Sequence, residues 1–101
     1  MPAQAVVDAY NEILGETFPR VAKLTNKRRT AVRKLWHSDT ENPNFKRRTD
    51  NLAYWRRYFA HCLTIEFFTA EKTGDHQNWS PDFDFLMSER GYLGVLEGKY
   101  V

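Results

Sequence analysis

Residues 45–69, FKRRTDNLAYWRRYFAHCLTIEFFT, carry the strongest helical pattern in this chain of 101 residues. Their apolar side chains recur at spacings of three and four along the middle of the stretch: Leu52, Trp55, Phe59, Cys62 and Leu63. This spacing places them on one face of an α-helix, because neighbours on a helix surface are three or four residues apart. We therefore expect the longest helix of the protein here, with this face turned toward a hydrophobic core.

Two further helices are predicted before this stretch. Residues 3–14 place an apolar stripe on one side of a helix. Pro19 interrupts the segment that follows, since proline cannot sit inside a continuous helix. Thr25 is then the expected N-cap of a basic helix over residues 26–37, because its side-chain oxygen can accept a hydrogen bond from a backbone N–H of the first turn.

The C-terminal stretch NWSPDFDFLMSERGYLGVLEGKYV, residues 78–101, is both aromatic and acidic. Ser80 is the expected N-cap of a helix that has Pro81 in its first position and Gly91 at its end. The residues after Gly91 then form a further short turn or helix that ends at Gly98. We expect this stretch to fold as a C-terminal lock on the domain. Four of its apolar side chains are assigned to the core: Phe83, Leu86, Leu93 and Leu96.

These elements predict an all-α protein, a small single-domain bundle of four or five helices over residues 1–101. A chain of this length has room for one hydrophobic core, and strand patterns are weak everywhere. Cys62 is the only cysteine, which fits a reducing cytoplasm and excludes a small scaffold held by internal disulfides. No apolar run reaches the ~20 residues of a membrane span, and we expect no membrane association.

The sequence gives no support to catalysis or metal binding. Asp82 and Asp84 form a pair of nearby carboxylates, but two residues at this spacing on a helix point about 200° apart. The three histidines and Cys62 share no spacing of the kind that holds a metal. The glycines lack the strand-then-helix context of a phosphate-binding loop. We expect no enzymatic activity, no cofactor, no metal site and no small-molecule substrate.

Charge is divided unevenly along the chain, although the net charge is only +2. Residues 20–57 hold twelve lysines and arginines against three acidic residues, a net charge of +9. The remainder holds three basic and ten acidic residues, a net charge of −7. Segregation of this kind favours a polyanion or an acidic protein surface as the partner. The alternative is a solvated basic face that happens to balance acidic ends.

Two basic clusters are the candidates for nucleic-acid contact. NKRR at 26–29 and FKRR at 45–48 each open a predicted helix, where backbone amides without intrahelical partners already favour anions. Tyr54 and Tyr58 lie among the basic residues and are the preferred candidates for stacking on an unpaired base, a contact of roughly 1–3 kcal/mol. Basic helices also bind acidic proteins, so charge alone leaves both kinds of partner open. The candidate nucleic-acid-binding residues are Lys27, Arg28, Arg29, Arg33, Lys34, Lys46, Arg47, Arg48, Tyr54, Arg56, Arg57 and Tyr58.

Several segments, in the same order, resemble a domain found at the C-terminus of phage and prophage replication proteins, the replisome organisers and replication initiators. They are VVDAYNEIL (6–14), FPRVAKLTNKRRTAVRKLW (18–36), WRRYF (55–59), DFDFL (82–86) and YLGVLEGKY (92–100). The likeness covers nearly the whole chain. Phe85, Tyr92 and Gly94 stand where the family commonly has Trp, Phe and Lys, and the segment at 37–51 is longer than the usual link.

The resemblance implies a part in starting phage or prophage DNA replication, by helping to place the replicative helicase at an origin in the bacterial host cytoplasm. It fits either one domain of a longer protein or a free-standing relative. We expect a non-enzymatic replication accessory domain that contacts DNA, single-stranded rather than double-stranded, or the replicative helicase or an initiator protein, or both. The alternative is a pure protein-interaction module, helicase-loading or host-inhibitory, without DNA contact. DNA binding further requires the positive groups of the second and third helices to share one continuous surface.

Overall fold

The computed structural model describes residues 1–38, 48–69 and 80–100. These ranges contain six helical segments and no strand, which confirms the predicted all-α fold and exceeds the predicted four or five helices. The segments are α1 (Ala3–Leu14), α2 (Asn26–Trp36), α3 (Leu52–Cys62), α4 (Glu66–Thr69), α5 (Phe83–Leu86) and α6 (Glu89–Leu96). Within the described part of the chain, no helix combines the length and the hydrophobicity that a membrane span requires.

The core is built on the contact between α1 and α3. Tyr10 of α1 packs edge-to-face on Phe59 of α3, with ring centroids 5.6 Å apart. The apolar face predicted for α3 is confirmed at Trp55, Phe59 and Cys62, which are fully buried. The ring of Trp55 lies 5.3 Å from that of Tyr92 in α6, so the C-terminal helix covers the other side of α3.

The stretch predicted to form the longest helix divides into α3, with 11 residues, and α4, with 4, while α1 has 12. α3 begins late because the side chain of Asn51 accepts a hydrogen bond from the Ala53 N–H at 2.8 Å and caps the helix there. It stops before Thr64, whose hydroxyl donates to the carbonyl of His61 at 2.7 Å. Such local bonds compete with the helical hydrogen bonds and favour a break.

The connector between α1 and α2 is held by side chains of α1. Asn11 accepts from the Val21 N–H at 2.8 Å and donates its amide to the Val21 carbonyl at 2.9 Å. The hydroxyl of Tyr10 donates to the carbonyl of Pro19 at 2.7 Å. Thr25 then caps α2 as predicted, accepting from a backbone N–H of the first turn at 3.2 Å. These bonds fix where α2 begins relative to α1.

Thr49 anchors the chain between α2 and α3. Its side chain is fully buried, and its hydroxyl donates to the carbonyl of Trp36 at 3.2 Å and lies 3.0 Å from the hydroxyl of Ser38. Its carbonyl accepts from the indole N–H of Trp55 at 2.7 Å. The end of α2 and the start of α3 are therefore joined through this one residue.

Residues 80–100 of the C-terminal stretch are folded, but the helices there begin and end elsewhere than predicted. Asp82 rather than Ser80 caps α5, since its carboxylate accepts from a backbone N–H of the first turn at 2.8 Å. Ser88 caps α6 and accepts from the N–H of Gly91 at 3.0 Å, so Gly91 lies inside α6 and does not end a helix. Gly98 lies in the turn after α6 with a φ of 70°, the left-handed conformation that glycine favours.

Candidate binding surface on the second helix

α2 exposes four cations because its apolar face is narrow. Val32 and Leu35 are buried, and Ala31 and Trp36 are partly buried against the core. Four exposed positions on the rest of the helix form a set that we name the α2 cations: Lys27, Arg29, Arg33 and Lys34. All four were predicted as candidate nucleic-acid contacts.

The α2 cations have no acidic partner among the described residues. Across 1–38, 48–69 and 80–100, none of the four side chains forms an ion pair or a side-chain hydrogen bond. An exposed cation without a local partner can bind an external anion without first breaking an internal contact. The α2 cations are therefore the part of the predicted site that the fold leaves available.

Arg28, the remaining basic residue of α2, is occupied by the fold. Its guanidinium meets Asp84 of α5 at two points, Nε to Oδ1 at 3.0 Å and Nη2 to Oδ2 at 3.2 Å, and donates a third bond to the carbonyl of Lys23 at 2.9 Å. The hydrogen bond with Asp84 raises the pKa of Arg28 above its ordinary value. This geometry fastens α2 to α5 and argues against the predicted role of Arg28 as a phosphate contact.

The cations of α3 are also less available than predicted. Arg56 donates to the carboxylate of Glu12 in α1 at 3.0 Å. This hydrogen bond lowers the pKa of Glu12 below its ordinary value. Arg57, the next residue of α3, is half-buried.

The second predicted cluster, FKRR at 45–48, does not open a helix at Arg48. α3 begins only at Leu52, and Arg48 lies before it with its guanidinium 4.0 Å from the carboxylate of Asp50. Lys46 and Arg47 lie outside the described residues. Among the described residues, the helix-terminus argument for phosphate binding thus applies to α2 alone.

α1 carries acidic residues that lie near some cations of α2 and α3, whereas a continuous basic surface across these two helices stays a prediction. This helix packs against both of them. Its Asp8 lines a hollow of about 450 Å³ together with Arg29, and its Glu12 binds Arg56. Arg56 is paired with Glu12, whereas Arg29 and the other α2 cations form no ion pair with the described residues.

Tyr54 and Tyr58, the predicted base-stacking residues, lie in the core. Both side chains are fully buried. The hydroxyl of Tyr54 is hydrogen-bonded to that of Tyr92, and the hydroxyl of Tyr58 donates to the carbonyl of Leu86 at 2.6 Å. Burial raises the pKa of Tyr58 well above its ordinary value. The prediction of base stacking is wrong for both residues, because no base can reach a ring that other side chains enclose.

The sequence contained a signal for this burial. Tyr54 and Tyr58 are four residues apart, and each directly precedes a core aromatic residue, Trp55 or Phe59. The two rows together form an apolar face that is wider than one neighbouring helix can cover. α1 covers one row through Phe59, and α6 covers the other through Tyr92.

A groove between α2 and α6 was not predicted. Its volume is about 710 Å³. Leu93 was assigned to the core, but it lines this groove and is 39% exposed, because α6 turns Tyr92 and Val95 inward instead. Of the other three core assignments, Phe83 and Leu86 are buried and Leu96 is partly buried. The apolar lining of the groove consists of Ala31, Leu35, Met87, Tyr92 and Leu93.

Other reactive groups are dispersed or covered. Within the described ranges, no three His, Cys, Asp or Glu side chains stand close enough together to hold a metal ion. Cys62 is buried, as predicted, and burial raises the pKa of its thiol to about 12. Little thiolate exists at neutral pH under that condition, so Cys62 is a core residue and not a reactive nucleophile.

The chain matches no model of a protein family, no curated protein and no solved structure.

Proposed function

We propose that this protein is a non-enzymatic accessory domain of DNA replication that contacts DNA through the α2 cations. The observation that carries the proposal is the presence of four exposed cations on one helix, none of which has an acidic partner among the described residues. The resemblance of the sequence to phage and prophage replication proteins is the reason for proposing a role in the initiation of replication, in the cytoplasm of a bacterial host.

Contact with the DNA backbone is the mode of binding that these residues favour. Arg29 and Arg33 are four positions apart, so they are neighbours on the helix surface, with Cβ atoms about 5–6 Å from each other. Each arginine fork can bind a phosphate at two points, whereas Lys27 and Lys34 act as point charges. The arginine pair can therefore bind neighbouring phosphates of one strand, while the lysine pair lies on another flank of α2, about 130° round the helix.

The burial of Tyr54 and Tyr58 changes the expected specificity. Base stacking by these two tyrosines was the reason to favour single-stranded DNA. The proposal therefore covers contact with the backbone of single-stranded or double-stranded DNA. Binding through phosphates is insensitive to base sequence and strongly dependent on salt. Four contacts at ~0.7 each limit the slope of log affinity against log salt to about −3 for a single strand.

The test is a salt series with labelled oligonucleotides, comparing the wild type with Arg29→Ala/Arg33→Ala. Loss of two phosphate contacts should reduce the magnitude of the slope by about 1.4 for a single strand and about 1.8 for a duplex. The matched control is Arg90→Ala/Lys99→Ala, which removes the same charge from α6 and the turn that follows it. An equal change in both double variants, or none in the first, would refute the proposed contact.

A pure protein-interaction module is the second candidate, and the groove beside Leu93 favours it. An exposed leucine over an apolar lining is typical of a protein contact and is of no use for binding phosphates. The partner would then be the replicative helicase or an initiator protein. Association that survives nuclease treatment, without any shift of labelled oligonucleotides at low salt, would select this candidate over DNA binding.

A further inference from the structure

The groove between α2 and α6 combines an apolar lining with charge on its rim. Ala31 and Leu35 line it from α2, and Tyr92 and Leu93 line it from α6. Leu93 is 39% exposed, whereas Tyr92 beside it is 3% exposed, so the apolar character of α6 continues beyond the core and into the groove. An exposed apolar side chain in a concave site gains free energy when a partner covers it.

Two serine hydroxyls at the edges of the groove are already hydrogen-bonded within the protein. The hydroxyl of Ser38 donates to the carbonyl of Leu35 at 2.9 Å, and that of Ser88 donates to the carbonyl of Phe85 at 2.6 Å. These two hydroxyls are therefore not available to orient a polar small molecule. An occupant gains most here from burying apolar surface and from pairing with the charges of the rim.

Those charges come mainly from α2. Lys27 and Lys34 both line the groove and are seven positions apart, which is two helical turns, or about 10.5 Å. Carboxylates separated by seven positions on a second helix have the same spacing. Glu89 is the acidic residue on the α6 side, so the two sides of the groove differ in charge. This asymmetry determines which face of an incoming helix can lie against α2.

We propose that the groove between α2 and α6 binds an amphipathic helix of a partner protein, with its apolar side on Leu93 and with acidic residues on the side that faces Lys27 and Lys34. A helix of this kind inserts apolar side chains at positions i, i+3 or i+4, and i+7. The groove shares Lys27 and Lys34 with the proposed DNA contact, whereas Arg29 and Arg33 do not line it, so variants of these two arginines separate the two proposals.

The experiment uses the whole chain and a displayed library of random peptides of about 16 residues, roughly 24 Å long as helices. Enriched peptides are synthesised, and their affinities are measured in solution by fluorescence anisotropy. We expect them to be amphipathic, acidic along one flank and helical when bound. Leu93→Asp should weaken their binding at least tenfold, because it places a charge in the apolar lining.

Leu63→Asp is the matched control, since Leu63 is 37% exposed and does not line the groove. It should alter peptide affinity less than twofold. Lys27→Glu/Lys34→Glu should weaken binding about tenfold at low salt, and the difference should shrink as salt rises. Arg29→Ala/Arg33→Ala should leave peptide affinity unchanged, even if the same variant loses DNA.

Four results would overturn the inference. The first is a selection that enriches no peptide, or only peptides that bind Leu93→Asp as well as the wild type. The second is a set of enriched peptides without an acidic excess. The third is a wild-type dimer, detected by sedimentation, that Leu93→Asp dissociates, since the occupant would then be a second copy of this chain. The fourth is loss of oligonucleotide binding in Leu93→Ala, a change that adds no charge beside Lys27 and Lys34, since the apolar lining would then be part of the nucleic-acid contact.

Discussion

Arg28 and Asp84 are 56 positions apart in the chain, yet they form a two-point ion pair that ties α2 to the C-terminal lock. The pair removes one cation from the NKRR cluster and uses it to set the position of α5. The side chains are 25% and 49% exposed, so solvent screens the pair and its contribution to stability is modest. Its main consequence is geometric, because α6, which lines the groove with α2, follows α5 in the chain.

Replacing Arg28 with Ala should lower the free energy of unfolding by roughly 0.5–1 kcal/mol and the Tm by a few degrees. A double-mutant cycle with Asp84→Asn, followed by calorimetry, isolates the coupling between the two side chains. The coupling should shrink at high salt. Arg90→Ala, an exposed arginine of α6, is the control and should leave the Tm unchanged. A coupling of zero at low salt would contradict the tie between α2 and α5.

Replacing Tyr58 with Phe should destabilise the protein by about 1–3 kcal/mol, because the buried carbonyl of Leu86 loses its hydroxyl donor. Urea unfolding measures this change. Affinity for oligonucleotides should not change, since the ring is enclosed in the core. Tyr100→Phe is the control for loss of a hydroxyl, with little effect expected on stability. A drop in oligonucleotide affinity without a drop in stability would restore Tyr58 as a contact residue.

Replacing Gly91 with Ala should cost at least 1–3 kcal/mol, the usual penalty of overpacking a core. A Cβ at this position would lie 1.9 Å from the carbonyl oxygen of Phe85, and backbone cannot yield as a flexible side chain does. Gly98→Ala serves as the comparison. Its Cβ would meet nothing within 4 Å, and only the left-handed φ of 70° opposes it, at a cost of about 1 kcal/mol. Equal losses in urea unfolding would contradict this reasoning.

The carboxyl group of Glu12 should titrate below its ordinary pKa of 4.5, because Arg56 donates a hydrogen bond to its charged form. A carboxyl whose folded pKa is lowered stabilises the fold above its unfolded pKa. That stabilisation is lost as the pH falls through the folded pKa. Carboxyl NMR shifts followed across the acid range measure the titration. Arg56→Ala should raise the pKa of Glu12, whereas the control Arg90→Ala should not alter it. The same titration midpoint for Glu12 in the wild type and both variants would contradict the hydrogen bond between Arg56 and Glu12.

The sequence predicted those features that depend on neighbours along the chain. The helix at 3–14, the cap at Thr25 and the buried face around Trp55 follow from spacing and from capping chemistry, and the structure confirms them. The cap of α5 was misplaced by two residues, from Ser80 to Asp82, because both residue types can cap and the pattern does not distinguish them.

Features that depend on contacts between distant segments were not predicted. Tyr54 is buried because Tyr92 of α6 meets its hydroxyl, and Arg28 is paired because α5 brings Asp84 beside it. Leu93 belongs to an apolar pattern, but it points away from the core because Tyr92 and Val95 fill the inward positions of α6. In each case the outcome depends on which segment packs beside the residue, and spacing within one helix does not contain that information.

Thr49 and Ser38 meet at a hydroxyl contact of 3.0 Å, so the chain leaves α2 and rejoins the core at almost the same point. Two anchors held this close set the distance that a linker must span, and for a flexible linker each doubling of length adds only about 0.6 kcal/mol of closure entropy. Relatives should therefore tolerate insertions and deletions between Ser38 and Arg48 without repacking Trp55.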